Sequence, residues 1–284
     1  MIDNIKLGEI NTLQILRDSP HGFFLSTNED EEAILLPKKF CPDDAQIGDE
    51  LEVFVYTDSE DRLIATTIYP KAFVNEFIYA QVVSIENFGA FVDIGLDKDL
   101  LVPKNRQKRA FRLDEFRIIR IVIDEKSERL IGVEKITSFL HNQDCILEQN
   151  DEVSILVFAK TPLGFKCIIN NSFEGMIFHN EIFQDIQIGT KTKAFIKFIS
   201  PDKKIDLSLR EVGQKAGIKD CEQILNILKE HDGKMNFSYK SSPENIKNTF
   251  SLSKKAFKKT LTTLLEQNKI CLDENKLSLK NKED

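Results

Sequence analysis

Short apolar runs alternate with polar turns from the start of the chain to about residue 212, and the same succession occurs three times. It is clearest in IGDELEVFVYTDSEDRLIATTI (47–68), LDEFRIIRIVIDEKSERLIGVEKI (113–136) and IGTKTKAFIKFISPDKKIDLSLREV (188–212). Each segment has an apolar alternating run, a turn rich in Asp, Ser or Lys, and a second apolar run. Because alternation with a period of two residues is typical of half-buried strands, each segment predicts two β-strands joined by a turn.

A second repeated pattern precedes each of these segments. It is a glycine that opens a strand, a polar turn and another strand, as in GFFLSTNEDEEAILLPKK (22–39), GAFVDIGLDKDLLVPKN (89–105) and GFKCIINNSFEGMIFHN (164–180). The two patterns give four strands, and one further strand at the start of each unit makes five. Five short strands is the number found in a small, partly open barrel of the OB type. One large β-sandwich is the alternative, but the repeated strand order favours separate barrels. We expect three barrels, over residues 1–70, 71–140 and 141–213.

Residues 214–284 follow a different pattern, with apolar positions at helical spacing. Helices are predicted in IKDCEQILNILKEHDG (218–233), SSPENIKNTF (241–250) and LSKKAFKKTLTTLLEQNKI (252–270), the last two opening with a serine cap. ICLDENKLSLK (270–280) reads as a hairpin of two strands around an acidic, Asn-containing turn. Three helices and a β-wing predict a winged helix-turn-helix, so we expect a mostly β protein with a C-terminal α+β domain.

Composition is typical of a folded cytoplasmic protein, with 41% hydrophobic and 30% charged residues. No stretch of about 18 uncharged apolar residues is present, so neither membrane spanning nor export is expected. The five cysteines are far apart and form no CxxC pair, and the four histidines are scattered. We therefore expect reduced, mostly buried thiols, no metal site and no cofactor.

The net charge of −7 hides a marked segregation of charge. It is −10 over residues 1–70, +1 over 71–140, −2 over 141–214 and +5 over 215–280. Local field rather than total charge attracts a polyanion, so the later part of the chain remains a candidate for binding one.

The stretch SIENFGAFVDIG (84–95) places two phenylalanines around a glycine in a predicted strand. Alternation puts Phe91 on the face opposite Ala90 and Val92, and a kink or bulge at Gly89 would bring Phe88 beside Phe91. Two such rings facing solvent would form a stacking platform for nucleotide bases. The alternative is that both rings are core, since most of the 21 phenylalanines must be.

Two clusters of basic residues are candidates for phosphate contacts. One lies in PKNRQKRAFRLDEFRIIR (103–120), between the third and fourth strands of the second repeat, and would overhang the binding face of the barrel. The other lies on one flank of the third helix of the winged helix-turn-helix. The alternatives are solvated surfaces or, for the first cluster, pairing with the acidic first domain, whose residues 28–32 read NEDEE. The candidates are Lys104, Arg106, Lys108, Arg109, Arg112 and Arg120 in the first cluster, and Lys254, Lys255, Lys258 and Lys259 in the second.

Residues 82–95, VVSIENFGAFVDIG, followed by LLVPKN (100–105), closely resemble the RNA-binding domain type named for ribosomal protein S1. The other two repeats resemble it more weakly. Three such domains before a lysine-rich winged helix resemble the bacterial conserved virulence factor B family of RNA-binding regulators. The resemblance implies ligand positions in the middle repeat only, at Phe88, Phe91, Asp124 and Arg129. The usual histidine of the third strand is replaced by Pro103.

The corresponding positions of the other repeats depart from this pattern. The first repeat has His21 and Phe24 at the two ring positions, and the third has Leu163 and Lys166. Only the middle repeat keeps both rings, so we expect it to hold the main site.

Together these patterns predict a cytoplasmic RNA-binding protein that acts in post-transcriptional control and binds single-stranded RNA. The sequence contains no Gly-rich phosphate loop, no GxSxG and no HExxH motif, so we do not expect an enzyme. A DNA-binding transcription regulator acting through the winged helix is one alternative. A scaffold that docks on ribosome or polymerase through the acidic domain is another. The acidic domain is also expected to cover the basic loop when RNA is absent, in which case deletion of residues 1–70 would tighten RNA binding.

Overall fold

The computed structural model describes residues 5–27, 33–182, 185–211, 214–273 and 276–280. The chain divides into two compact units, Met1–Leu140 and His141–Asp284. The first unit holds two five-stranded barrels, and the second holds a third barrel and a helical domain.

The first barrel is closed, with strand order β1-β2-β3-β5-β4. The parallel pairing of β3 with β5, through Leu35 and Ile64, closes it. Its interior is filled by alternating residues such as Leu13, Ile15 and Leu25, which are fully buried. The strands are β1 (Ile10–Ser19), β2 (Gly22–Ser26), β3 (Ile34–Pro37), β4 (Glu50–Thr57) and β5 (Leu63–Thr66).

The middle barrel is nearly closed, with strand order β10-β9-β6-β7-β8. Within residues 71–140, all of which are described, β8 and β10 form no hydrogen-bonded ladder. They pack through side chains instead: a Cβ on Gly132 would lie 2.7 Å from Cγ2 of Val102. The strands are β6 (Phe77–Glu86), β7 (Gly89–Val92), β8 (Leu100–Pro103), β9 (Phe116–Ile123) and β10 (Leu130–Val133).

The predicted kink at Gly89 is wrong in its position. The shift in strand register lies on β6, between Val82 and Ser84, and Phe88 lies in the two-residue turn that joins β6 to β7. Gly89 is required for another reason, since a Cβ there would lie 2.6 Å from the carbonyl oxygen of Val102. The turn, rather than a bulge in β7, therefore sets the direction of the Phe88 ring.

The two barrels of the first unit pack on each other through apolar side chains and a backbone hydrogen bond. Phe54, on the outer face of β4, is 6.1 Å from the ring of Phe73, which precedes β6. The backbone N–H of Val74 donates to the carbonyl of Gly8 at 3.0 Å. These contacts bury the outer face of β4 and make one compact unit of the two barrels.

The third barrel is closed, with strand order β11-β12-β13-β15-β14. Since each set of five strands forms its own barrel or sheet, the β-sandwich alternative is wrong. A turn of 3-10 helix follows the third strand of each barrel, at Lys38–Phe40, Lys104–Arg106 and His179–Glu181, and two more lie at Ile136–Phe139 and Asn142–Asp144. The strands are β11 (Glu152–Thr161), β12 (Gly164–Ile169), β13 (Phe173–Phe178), β14 (Lys191–Ile199) and β15 (Ile205–Ser208).

The rest of the second unit is a winged helix-turn-helix, as predicted. Ser242 and Ser253 cap the second and third helices, each accepting a backbone N–H, and Phe250 and Phe257 stack at 5.0 Å in the core. Residues 274 and 275, in the predicted wing turn, lie outside the described residues. The elements are α1 (Gln214–Glu230), β16 (Lys234–Met235), α2 (Pro243–Phe250), α3 (Lys254–Glu266), β17 (Ile270–Asp273) and β18 (Lys276–Leu279).

All five cysteines are free, and three of them are buried, as expected for reduced thiols. Burial raises the pKa of the Cys167 thiol to about 12, so this side chain stays protonated and inert. Within the described ranges, no helix is long and apolar enough to cross a membrane, and no group of acidic, His or Cys side chains is arranged to hold a metal ion.

Candidate nucleic-acid interface

A cleft of about 910 Å³ opens in the first unit, on the outer face of the middle barrel. Its floor is built by β7, β8, β10 and the end of β9, and one wall is the turn between β4 and β5 of the first barrel. The cleft brings together five of the predicted site residues from separate parts of the middle barrel: Phe88, Phe91, Arg106, Asp124 and Arg129.

The two rings of the cleft face solvent to different degrees. Phe88 is 59% exposed and Phe91 is half-buried, whereas Ala90 and Val92 are buried in the barrel, which confirms the predicted alternation. The ring centroids are 6.0 Å apart and the ring planes are perpendicular, at 89°. The two rings therefore form a corner, in which a base lying flat on one ring meets the edge of the other.

The turn between β9 and β10 places an acid and a base beside these rings. The carboxylate of Asp124 accepts hydrogen bonds from the hydroxyl and the backbone N–H of Ser127, at 2.9 and 3.1 Å. These bonds, together with the charge of Arg106 at 3.8 Å, hold the pKa of Asp124 below its usual value. Asp124 is thus a fixed carboxylate at neutral pH, able to accept hydrogen bonds from the amino group of a base.

The wall contributed by the first barrel is held in place by Lys98 and Arg129 of the middle barrel. Lys98 Nζ donates to the carbonyl oxygens of Thr57 and Asp58, at 2.8 and 2.7 Å, and its burial lowers the pKa of its ammonium group. Arg129 forms an ion pair with Asp61. Sequence reasoning missed this wall, because no local pattern shows that the two barrels meet here.

Residues 104–115, between β8 and β9, form the predicted basic loop. The loop starts at the cleft, where the N–H of Lys104 donates to the carbonyl oxygen of Phe88 at 3.1 Å. Arg106 lines the cleft, whereas Lys104, Lys108, Arg109 and Arg112 are exposed outside it. The loop thus starts beside the two rings and carries exposed cations along the outside of the cleft.

Two acids of the middle barrel hold the basic loop in shape. Glu115 accepts the backbone N–H of Arg112 at 2.7 Å and pairs with the guanidinium of Arg109 at 3.3 Å. The buried Glu134 accepts the backbone N–H of Lys108 at 2.5 Å. In the described part of the chain, the ion pairs of this loop are therefore made within the middle barrel rather than with the acidic first domain. Residues 28–32, the other predicted partner, lie outside the described residues.

Arg120, one of the predicted phosphate-contacting residues, lies outside the cleft. Its guanidinium lies between the rings of Phe77 and Phe139, 4.9 and 4.8 Å from their centroids. Burial also lowers its pKa. Arg120 does not line the cleft and instead fastens the segment after β10 to the outer face of the barrel.

Among the described residues, the other two barrels have no pair of rings at the positions equivalent to Phe88 and Phe91. In the first barrel, the guanidinium of Arg17 lies 4.0 Å from the centroid of the Phe24 ring and covers it. In the third barrel, Leu163 is exposed, and Lys166 pairs with Glu174 at 2.7 Å. The middle barrel therefore presents the best stacking surface of the three.

The lysines of α3 lie in the second unit and form a separate basic surface. Lys255, Lys258 and Lys259 are exposed and Lys254 is half-buried, while Phe257 is fully buried on the opposite side of the helix. None of the four makes an ion pair with another described residue. Their charges are therefore available to a polyanion.

Comparison with known proteins matches three segments of the chain to domain families. Residues 7–68 match the S1 domain, residues 71–137 the S1 RNA binding domain, and residues 222–279 the CvfB-like winged helix domain. Conserved virulence factor B of Staphylococcus epidermidis strain RP62A is 24% identical, over 99% of this chain and 97% of its own length. The resemblance to the conserved virulence factor B family is confirmed.

Other relatives also align with nearly the whole chain. The uncharacterized protein YitL of Bacillus subtilis strain 168 is 29% identical, over 94% of this chain and 92% of its own length. A crystal structure of a multidomain protein with nucleic acid binding domains from Streptococcus pneumoniae is 25% identical and covers 96% of this chain and 98% of its own, with a TM-score of 0.42. The matches to two S1 domains, one of them described as an RNA binding domain, support nucleic-acid binding by this chain.

Proposed function

We propose that this protein binds single-stranded RNA in the cleft of its first unit and acts in post-transcriptional control of gene expression in the cytoplasm. The observation that carries the proposal is the exposed corner of Phe88 and Phe91 beside the guanidinium groups of Arg106 and Arg129. Aromatic rings next to cations can bind unpaired nucleotides, because each nucleotide has a flat base that stacks on a ring and a phosphate that pairs with a cation.

Each part of the cleft has a distinct task in this proposal. A base stacks against Phe91 with its edge toward Phe88, which contributes about 1–3 kcal/mol per base without demanding a sequence. Asp124 accepts a hydrogen bond from an amino group of that base, and the cations of the basic loop contact the phosphates on either side. Stacking thus supplies affinity, and Asp124 supplies a preference for bases that carry an amino group.

The winged helix adds a second point of attachment. Its surface on α3 has lysines but no arginine, asparagine or glutamine at neighbouring positions, so it favours phosphate contacts over the reading of base edges in duplex DNA. Two weak sites on one strand strengthen each other through their effective concentration.

A titration with three nucleic acids tests the proposal. The full chain is mixed with single-stranded RNA, single-stranded DNA and duplex DNA of equal length, each at two salt concentrations. We expect the tightest binding to single-stranded RNA, weakened by salt because phosphates are contacted. Preference for the duplex would instead support a DNA-binding transcription regulator. Absence of salt-dependent binding to all three would support a scaffold that docks on ribosome or polymerase.

The proposal of a regulatory role is supported by the S1-type domains and by the similarity to proteins named conserved virulence factor B. Its test is crosslinking of the protein to RNA in cells, with sequencing of the bound transcripts. We expect the abundance of bound transcripts to change when Phe88 and Phe91 are both replaced by Ala. Bound transcripts that keep the same abundance and translation would contradict the regulatory role and leave RNA binding intact.

A further inference from the structure

A second pair of aromatic rings lies on the outer face of the middle barrel, outside the cleft. Tyr79 on β6 and Phe116 on β9 are 36% and 48% exposed, and their ring centroids are 5.1 Å apart. Neither ring lines the cleft. Large apolar side chains that are exposed together, rather than singly, mark a binding surface.

Strand pairing places these rings close to the cleft. Phe116 is paired with Gln81 on β6, and the carbonyl of Gln81 accepts the N–H of Asp93, two residues after Phe91, at 3.0 Å. Phe91 and Phe116 therefore point outward from strands on either side of β6. With strands about 4.8 Å apart and a rise of about 3.4 Å per residue, their separation is on the order of 12 Å.

The surface between the two sites is partly apolar, and its acids are bonded to neighbouring side chains. Asp93, which lies there, is ion-paired with Lys71, and Asp114 accepts a hydrogen bond from Nε2 of Gln81 at 3.2 Å. Val83 and Ile85, on the same strand as Tyr79, are exposed and uncharged. A nucleic-acid strand leaving the cleft therefore meets exposed apolar side chains, the ion-paired Asp93 and the hydrogen-bonded carboxylate of Asp114.

The basic loop joins the two aromatic sites. It begins at Lys104, whose N–H is bonded to Phe88, and its last residue immediately precedes Phe116. Lys104, Lys108 and Arg112 are exposed along it but do not line the cleft. Their positions are explained if phosphates pass alongside the loop, outside the cleft.

We propose that Tyr79 and Phe116 form a second stacking platform, which holds further nucleotides of the RNA strand bound in the cleft. This inference rests on the proposed function. The cationic loop favours a nucleic acid over a protein as the occupant, because an apolar protein partner would gain nothing from these cations. At about 3.4 Å per stacked nucleotide, the second platform is reached about four nucleotides beyond the first.

The test compares a short and a long oligoribonucleotide of one base composition, one of about four nucleotides and one of about twelve, lengths within the range of single OB-type sites. The variant is Tyr79→Ala with Phe116→Ala in the full chain, and Phe198→Ala removes a similarly exposed ring from β14 of the third barrel as a control. We expect the double variant to lose about fivefold or more in affinity for the long RNA, to bind the short RNA unchanged, and to be rescued by Tyr79→Phe with Phe116→Tyr. Ultraviolet crosslinking should join the long RNA to the peptide containing Tyr79.

The outcomes separate this inference from the proposed function. If the variant binds both RNAs like the parent, while Phe88→Ala with Phe91→Ala weakens both, the platform is wrong and the cleft stands. If affinity for both lengths falls equally, the rings act on folding and the platform is wrong. If the parent binds neither RNA, both proposals are wrong.

Discussion

The guanidinium of Arg129 in the middle barrel is ion-paired with the carboxylate of Asp61 in the first barrel, 68 residues earlier in the chain. In this pair, an acid from residues 1–70, the most negative segment of the chain, neutralises one of the cations proposed to bind RNA. Both side chains are about half exposed, and exposed ion pairs contribute only about 0–1 kcal/mol. We therefore predict that a phosphate displaces Asp61 and that Asp61 competes weakly with RNA for Arg129.

Asp61→Asn should tighten binding of single-stranded RNA by about two- to fivefold, the effect of removing a competitor of about 0.5–1 kcal/mol. The measurement is a fluorescence-anisotropy titration with a labelled oligoribonucleotide at low salt. A point substitution is preferable to deletion of residues 1–70, because the first barrel also supplies the carbonyl partners of Lys98.

The matched control is Asp97→Asn, which removes an ion pair between the same two barrels, with Lys39. It makes the same change in charge, but Asp97 does not line the cleft. An equal gain of affinity in both variants would show a general effect of charge and would contradict competition at Arg129.

Lys258→Ala with Lys259→Ala should make RNA binding less sensitive to salt. Each phosphate contact on a single strand contributes about 0.7 to the slope of log affinity against log salt, so loss of two lowers the slope by about 1.4. The measurement is a series of titrations across salt concentrations with an RNA long enough to reach both units.

Lys193→Ala with Lys204→Ala is the control for this pair. These lysines are equally cationic but are already paired with Glu152 and Asp202 in the third barrel. A slope that falls as much in the control as in the α3 variant would count against a dedicated lysine surface.

Gly89→Ala should loosen the hairpin that carries both rings. Its Cβ would collide with backbone at the carbonyl of Val102, and overpacking of this kind costs about 1–3 kcal/mol. Amide hydrogen exchange in β7 and β8 should become about tenfold faster, and RNA binding should weaken. Gly217→Ala in α1 meets no atom within 4 Å and serves as the control. Unchanged exchange in β7 would show that the backbone adjusts freely.

Much of the fold was predictable because it depends on local patterns. Period-two alternation predicted the strands and the outward direction of Phe91, and the serines before α2 and α3 predicted their caps. Asp124 and Arg129 were predicted only from the resemblance of the middle repeat to the S1-type RNA-binding domain, and five of the predicted site residues meet in the cleft. Their proposed contacts with RNA stay predictions.

The remaining features depend on contacts between distant segments. Arg120 alternates with core residues like any outward side chain, and only the return of Phe139 over the barrel shows that its guanidinium is covered. Glu134 holds the backbone of Lys108 from 26 residues away. The ion pair between Asp61 and Arg129 forms only because the first and middle barrels pack against each other. Neither the periodicity nor the composition of the sequence predicts these contacts.

The central claim is that the Phe88 and Phe91 rings bind unpaired nucleotides, and Phe88→Ala with Phe91→Ala tests it most directly. The measurement is the affinity for a short single-stranded RNA, with Phe198→Ala, which removes a ring of similar exposure, as control. With stacking worth about 1–3 kcal/mol per base, the double variant should bind at least about tenfold more weakly, and the control should bind like the parent. A folded double variant that binds this RNA as tightly as the parent would contradict the account.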